Sequence, residues 1–222
     1  IPSDATNAIL SFSLSPQLSR KLSARIGREG LSLNSVLLAL IAQKVYHHRH
    51  PNSKNKLVRV ISFADLRSAM QPPVSKNELG CYVSMLRFSI PSTFNQSVFS
   101  IAKDIRQGIF KASRQKDVFL MSKMSKHVMR MVLKMKNARL GVAALSFIGK
   151  LDLEPRYGAV QLHQVNAFIS NNTLGAEFSA FGKILFGSII VDFNYLSAEI
   201  EVHQAEKIVQ EIKEELVRMG EG

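Results

Sequence analysis

The chain has 222 residues, of which 46% are hydrophobic and 21% are charged, and its formal net charge is +12. This is the composition of a folded globular protein, which excludes extensive disorder. The length allows one large domain or two small ones. The single cysteine, Cys81, excludes an intrachain disulfide and a thiolate-rich metal site.

The longest uninterrupted apolar run, residues 36–42, is much shorter than the roughly 20 residues of a membrane-spanning helix. The chain begins with Ile1-Pro2, without an initiator Met and without the basic and apolar regions of a signal peptide. We therefore expect a cytoplasmic protein with no transmembrane segment, either processed or part of a longer polypeptide.

Hydrophobic patterns predict strands and helices that alternate along the chain. The predicted strands cover residues 6–14, 56–64, 79–90, 141–148, 160–169, 177–181 and 188–195. The predicted helices cover residues 16 to 27 or 30, with Ser15 as the N-cap, then 34 or 35 to 50, 96–116, 117–136 and 199–219. With no repeat and no linker, this order predicts one α/β domain whose mixed β-sheet is covered by helices.

Three histidines, His47, His48 and His50, lie near the end of the second predicted helix. Neighbouring residues on a helix point about 100° apart, so adjacent imidazoles cannot both reach one metal ion. We predict that these imidazoles cap helix carbonyls and complement the helix dipole, and that no metal is bound.

No motif of nucleophilic catalysis, metalloprotease chemistry or nucleotide binding is present. The carboxylates Asp65, Asp152 and Asp192 are scattered, with no spacing that pairs them. Asp192 lies in an apolar strand, where it is either half-buried and hydrogen-bonded or, as is commoner, directed outward. We identify no catalytic residue in the chain.

Residues 103–139 contain eleven Lys and Arg residues against two Asp, and so hold +9 of the net charge. Methionines recur there at helical spacing, while Lys123, Lys126, Arg130 and Lys134 lie on another helix face. One interpretation is a core-facing apolar stripe with a solvated basic back. The other is a docking face for an anion: coenzyme A, an acidic carrier protein or an anionic membrane surface. Nucleic acid ranks lower, because few aromatic residues are interleaved as stacking platforms.

Four strings, in order, are similar to motifs of one enzyme family. They are LSLNSVLLALIAQKV at 31–45, ISFADLR at 61–67, LGCYVSMLR at 79–87 and ALSFIGKL at 144–151. Together they resemble the C-terminal lobe of the CoA-dependent acyltransferase superfamily. That superfamily includes condensation domains and the alcohol, wax-ester and polyketide-associated acyltransferases. The resemblance covers nearly the whole chain.

The chain also departs from the family pattern. The catalytic H-H-x-x-x-D-G motif is absent, since Asn52 and Ser53 stand where His48 would require Asp-Gly. Ser84 stands at the usual Asn of the condensation-domain string, and Phe147 at the Asn of S-N-x-G. These departures favour an ester-forming or amide-forming acyltransferase over a condensation domain proper.

The resemblance implies a chloramphenicol-acetyltransferase-like lobe spanning residues 1–222. Its catalytic histidine would lie on an N-terminal lobe outside this sequence, on the same polypeptide or a partner chain. It also implies a tunnel between the lobes and acyl-CoA or acyl-phosphopantetheine as co-substrate. Asp65 and Arg67 would be structural residues at the lobe junction. The residues expected near the junction or the tunnel are Gly80, Ser84, Ser146 and Gly149.

Two hypotheses of function follow. In the first, the chain is the C-terminal lobe of an enzyme that moves an acyl group from a thioester to an alcohol or amine. In the second, it is a non-catalytic module that docks an acidic carrier protein or an anionic lipid surface through residues 103–139.

Overall fold

A computed structural model describes residues 6–92, 95–114, 139–168 and 175–222. The eight strands are β1 (Asn7–Ser13), β2 (Leu57–Asp65), β3 (Val83–Pro91), β4 (Gly141–Lys150), β5 (Arg156–Tyr157), β6 (Val160–Gln161), β7 (Ala176–Leu185) and β8 (Ser188–Leu196). The four α-helices in the described ranges are α1 (Pro16–Arg28), α2 (Leu33–Arg49), α3 (Val98–Arg114) and α4 (Val202–Glu221).

Six of the strands form one mixed sheet in the order β1-β8-β7-β4-β2-β3, and β5 pairs only with β6. The central strands β2, β4 and β7 are parallel, whereas the other pairs are antiparallel. The main core unites buried residues of all four helices with one face of this sheet. The predicted α/β class and mixed sheet with helices are therefore confirmed.

Local signals start the first two helices. The Ser15 hydroxyl accepts a hydrogen bond from the Leu18 amide, and Pro16 occupies the first helical position. Ser32 and Ser35 exchange side-chain to backbone hydrogen bonds, each of 3.2 Å, in a capping box. These contacts satisfy amide groups that the helix itself leaves without partners.

The second helix is more deeply buried than its sequence predicts. A single broad apolar face was expected, yet Leu38 and Ala39, outside that face, are also fully buried. The reason is that α2 packs against β4 on one side and against α3 and α4 on others. The predicted stripe of the last helix is confirmed, since Ala205, Ile208, Ile212 and Leu216 have no exposed surface.

Two strand predictions are wrong in part. The strand expected over 79–90 begins only at Val83, because the carbonyl groups of Glu78 and Gly80 bind a side chain, that of Arg67. The strand expected over 160–169 is limited to β6, and residues 162–168 are not in a strand. The helix predicted over 117–136 lies outside the described residues. Within the described ranges, no helix is both long enough and apolar enough to cross a membrane.

Candidate functional site

Two neighbouring parallel strands separate at their carboxyl ends. β2 and β4 pair only over Val60–Ser62 and Ala143–Leu145. Beyond Ser62, β2 continues to Asp65 paired with β3, while β4 continues beside β7. Ligands of α/β proteins commonly bind outside the carboxyl ends of parallel strands. This edge, between the ends of β2 and β4, is therefore the candidate site.

Arg67 organises the loop that follows β2. Its guanidinium lies 3.3 Å from an Asp65 carboxylate oxygen and stacks over the Tyr82 ring, with its carbon 4.8 Å from the ring centroid. It also donates hydrogen bonds to the backbone carbonyls of Glu78 and Gly80. The Nε atom of Arg67 is buried and has no hydrogen-bond partner in the described part of the chain. The guanidinium group of Arg67 thus holds both ends of the loop, while its Nε–H donates no hydrogen bond within the described residues.

Tyr82 completes this loop. Its hydroxyl donates a hydrogen bond of 3.0 Å to Glu78, and that bond raises the pKa of the phenol above its ordinary value. Its backbone carbonyl accepts a hydrogen bond from the Leu66 amide. A side chain at Gly80 would place its Cβ 2.6 Å from the Tyr82 ring, so any other residue would require that ring to move.

The site residues expected from the sequence fall into three places. Asp65, Arg67 and Gly80 come together in the loop just described. Ser84 pairs with Ala64 but is buried on the helix-facing side of the sheet. Ser146 and Gly149 lie farther along the sheet, near the end of β4.

Gly149 lies at an irregularity of β4. The register with β7 shifts between Phe147 and Gly149, and Gly149 has a φ of +87°. L-residues with a side chain rarely adopt this backbone conformation, so the position requires glycine. The shift marks a bulge, which bends the end of β4 where it leaves β2.

A row of side chains crosses the sheet on the face away from the helices. The cross-strand partners in this row are Ser146, Phe181, Asp192 and Ser11. Asp192 is fully buried, which corrects the interpretation of an outward-facing carboxylate. It is buried because residues 162–168, which follow the β5–β6 hairpin, lie over it, and Asn166 and Ala167 in this segment donate hydrogen bonds to it.

The Asp192 carboxylate accepts four hydrogen bonds. Three come from the Ser11 hydroxyl at 2.7 Å, the Asn166 amide at 2.7 Å and the Ala167 backbone amide at 2.9 Å. The fourth comes from the ammonium group of Lys183, which is itself fully buried. Burial raises the pKa of Asp192, but these hydrogen bonds outweigh it and hold the pKa below its ordinary value.

Lys183 was not singled out from the sequence, although a signal existed. Phe186 and Gly187, both with positive φ, form the two-residue turn between β7 and β8. This turn pairs Lys183 with Ile190, two residues from Asp192 on the same face. Recognising the turn would have predicted the contact.

An arm projects from the sheet between β4 and β7. Residues 152–161 are all exposed, including the β5–β6 hairpin. Three of the exposed side chains are large and apolar: Leu153, Tyr157 and Val160. Asn166 and Ala167 then tie the returning chain to Asp192, as described above.

The histidines of α2 lie at its C-terminal end, away from this loop and arm. His48 hydrogen-bonds to Glu211 at 3.0 Å, and His50 to Glu177 at 2.8 Å. The imidazoles of His48 and His50 therefore bind carboxylates rather than helix carbonyls, because α4 and β7 bring glutamates to the helix end. Among the described residues, no three His, Cys, Asp or Glu side chains are grouped to hold a metal ion.

The basic residues proposed to dock an anion, Lys123, Lys126, Arg130 and Lys134, lie outside the described residues, as does the methionine stripe. Their role in binding a carrier protein, coenzyme A or a membrane surface stays a prediction.

Comparison with known proteins places the chain in a family. Residues 5–154 match the sequence model of the phthiocerol/phthiodiolone dimycocerosyl transferase C-terminus. No curated protein sequence matches the chain significantly.

Similar solved structures share the fold at low sequence identity. The trichothecene 15-O-acetyltransferase of Fusarium sporotrichioides superposes with a TM-score of 0.76 at 11% identity, over 97% of this chain and 48% of that one. Polyketide synthase associated protein 5 from Mycobacterium tuberculosis gives a TM-score of 0.69 at 16% identity, over 98% and 52%. An NRPS cyclization-docking bidomain from Sorangium cellulosum gives 0.71 at 17%, over 99% and 43%.

The chain spans about half the length of these structures. With the family match over residues 5–154, the resemblance read from the sequence is confirmed. The chain belongs to the phthiocerol/phthiodiolone dimycocerosyl transferase C-terminus family, and its fold is that of a C-terminal lobe of the CoA-dependent acyltransferases.

Proposed function

We propose that the chain is the C-terminal lobe of an acyltransferase that moves an acyl group from a thioester of coenzyme A or a carrier protein to an alcohol or amine. Its catalytic base lies on an N-terminal lobe outside these 222 residues. The observation that carries the proposal is the match of residues 5–154 to the C-terminal part of a transferase family. The chain also covers only about half the length of the similar solved structures, which leaves room for a second lobe in the complete enzyme.

The loop held by Arg67 supports a lobe junction at the carboxyl edge of the sheet. The carboxylate of Asp65 is 58% exposed, whereas the guanidinium of Arg67 is mostly covered. The buried Nε–H of Arg67 has no partner among the described residues, and such a donor is costly unless something accepts its hydrogen bond. The exposed carboxylate of Asp65 is the group of this loop that a second lobe can contact directly, whereas the covered Nε–H of Arg67 would need the loop to rearrange first.

The arm of residues 152–161 supports the same arrangement. Exposed large apolar side chains on a projecting hairpin are typical of a surface that packs against a partner. Leu153, Tyr157 and Val160 are 39%, 52% and 67% exposed. The N-terminal lobe is the partner we propose for them.

The chemistry assigns the two lobes different roles. A base on the N-terminal lobe removes the proton of the acceptor hydroxyl or amine, whose oxygen or nitrogen attacks the thioester carbonyl carbon. The carbon–sulfur bond then breaks, and the leaving thiolate takes up the proton. In this scheme the present chain forms one wall of the tunnel, with Ser146 and Gly149 at the separated strands, and supplies no proton-transfer group.

The test is an assay of the chain alone beside the full polypeptide that contains the N-terminal lobe. Ester or amide formation from acyl-CoA should be measured by chromatography of the product, because the exposed Cys81 thiol would react with a thiol reagent. We expect turnover only with both lobes present, and its loss when the second histidine of the N-terminal motif is replaced by alanine. Turnover by the isolated chain would contradict the placement of the base.

A further inference from the structure

A second cleft lies at the opposite end of β2 from Arg67. It has a volume of about 440 Å³, within the range of small-molecule sites. Its walls come from the end of α2 and the amino ends of β2 and β4, with Tyr46, Leu57 and Val142 as apolar surfaces. Arg59 of β2 lines this cleft. It precedes Asp65 by six residues on the same strand, so at about 3.3 Å per residue the two residues are about 20 Å apart.

The acidic groups of this cleft are already engaged. Glu177 accepts contacts from His50 at 2.8 Å and Arg49 at 3.3 Å. Arg139, which also lines the cleft, makes a two-point contact with Glu199 at 2.8 Å and 3.1 Å. The charges of Glu177 and Glu199 are therefore compensated by those of Arg49 and Arg139, and no carboxylate of this cluster remains to pair with another cation.

Two further arginines in this region lack a carboxylate. The Arg59 side chain makes no hydrogen bond or ion pair within the described ranges, and the Arg87 side chain donates only its Nε–H, to the Leu140 carbonyl at 2.9 Å. Asp104 lines the adjoining groove beside Arg87 but forms no ion pair with it there. Burial and the nearby charge of Arg59 lower the pKa of Arg87, as expected for neighbouring like charges.

Ser89 adds a hydroxyl between the two cations. Arg59 pairs directly with Ser89 across β2 and β3, and Arg87 lies two residues earlier on the same strand. The three side chains therefore project from one face of the sheet, at diagonal positions that long side chains bridge. Two guanidinium groups with a hydroxyl between them match the oxygens of a phosphate group.

Arg59 and Ser89 line the cleft, and Ser89 and Arg87 line the groove beside it. We propose that the phosphate group of a small phosphate ester binds at the border of the cleft and this groove, through Arg59, Ser89 and Arg87. The apolar walls, Tyr46, Leu57 and Val142, would contact the organic part of the ligand. The site is distinct from the candidate acyl-transfer edge and does not depend on the proposed function. The phosphate could belong to the coenzyme A donor or to another small ester.

The experiment is a calorimetric titration of the chain with inorganic pyrophosphate at constant ionic strength. Arg59→Gln and Arg87→Gln should each weaken binding about tenfold, the loss expected for one charge-assisted contact, and Ser89→Ala should weaken it less. Arg59→Lys should fall between, because it keeps the charge but loses the two-point geometry. All these side chains are exposed, so the thermal unfolding temperature should not change.

Arg28→Gln is the matched control, since Arg28 is an exposed arginine at the end of α1. Equal weakening by Arg28→Gln and Arg59→Gln would overturn the proposal, because it would show a response to net charge alone. No measurable binding of pyrophosphate would overturn it as well. Displacement of pyrophosphate by coenzyme A but not by pantetheine would support the site and identify the donor's phosphates as its ligand. A lack of displacement by coenzyme A, with the arginine effects intact, would support a different phosphate ester.

Discussion

Lys183 and Asp192 form an ion pair in which both side chains are fully buried. Bringing two charges out of water is costly, and their attraction compensates only when the remaining hydrogen-bonding groups are satisfied. Here the carboxylate also binds Ser11, Asn166 and the Ala167 amide, which belong to β1 and to the segment returning from the arm. The pair therefore joins three parts of the fold at one carboxylate.

Removing one partner of this pair should be strongly destabilising. Asp192→Leu leaves the Lys183 ammonium buried without its counter-charge, and Lys183→Met does the converse to the carboxylate. We expect each change to lower the free energy of unfolding by about 3–5 kcal/mol, measured by urea denaturation. The double variant should cost less than the sum of the two.

The control for this cycle is Glu201→Gln, which removes the exposed contact between Glu201 and His203 at the start of α4. Its effect should stay below about 0.5 kcal/mol. Additive effects of the two buried changes would show that Lys183 and Asp192 do not interact as an ion pair.

The lowered pKa of Asp192 also predicts how stability depends on pH. The unfolded chain binds a proton at Asp192 near the ordinary pKa of 3.8, whereas the folded chain resists protonation to lower pH. The stabilisation is therefore fully present above the unfolded pKa and is lost as the pH falls towards the folded pKa. Urea unfolding between pH 6 and pH 3 should show a steeper loss for the native chain than for Asp192→Asn. Parallel curves would indicate that Asp192 titrates alike in both states.

Much of the fold could be predicted from the sequence, because periodic patterns report burial directly. The stripe of α4 and the mixed sheet are examples. The loop between β2 and β3 was not predictable in this way, because an alternating pattern over Leu79–Tyr82 looks the same whether a backbone or a side chain uses its carbonyls. There, Arg67 binds the carbonyl of Gly80, and also that of Glu78 just before this segment.

The candidate site was predictable only as separate strings. The D-x-R string places Asp65 and Arg67 close together, but the contact of Arg67 with Gly80 depends on a turn of the chain over 13 residues. The role of Asp192 depends on a hairpin and on the path of residues 162–168, which no local pattern encodes. Long-range polar contacts of this kind follow from the assembled sheet.

Arg67 should control the opening of the loop after β2. Arg67→Gln keeps a polar side chain but removes the charge and the stacking on Tyr82, and so releases both ends of the loop. We expect amide hydrogen exchange over residues 66–82 to become about tenfold faster, the change that the loss of one charge-assisted interaction produces. Exchange in α4 should stay the same, and Arg28→Gln should change neither region. Unchanged exchange in Arg67→Gln would mean that the loop is held by its backbone alone.

Glycine at the bulge of β4 should be required for its backbone conformation rather than for space. No atom lies within 4 Å of a Cβ built on Gly149, yet its φ of +87° is unfavourable for any residue with a side chain. Gly149→Ala should therefore lower the free energy of unfolding by about 1–2 kcal/mol, the cost of a left-handed conformation.

Gly27 offers a matched control, because it also has open space around its Cβ position but lies in α1 without a positive φ. Gly27→Ala should instead stabilise the chain by about 0.5–1 kcal/mol. Thermal and urea unfolding of the two variants should thus change in opposite directions, and a shift of the same sign in both would contradict the assignment of strain to Gly149.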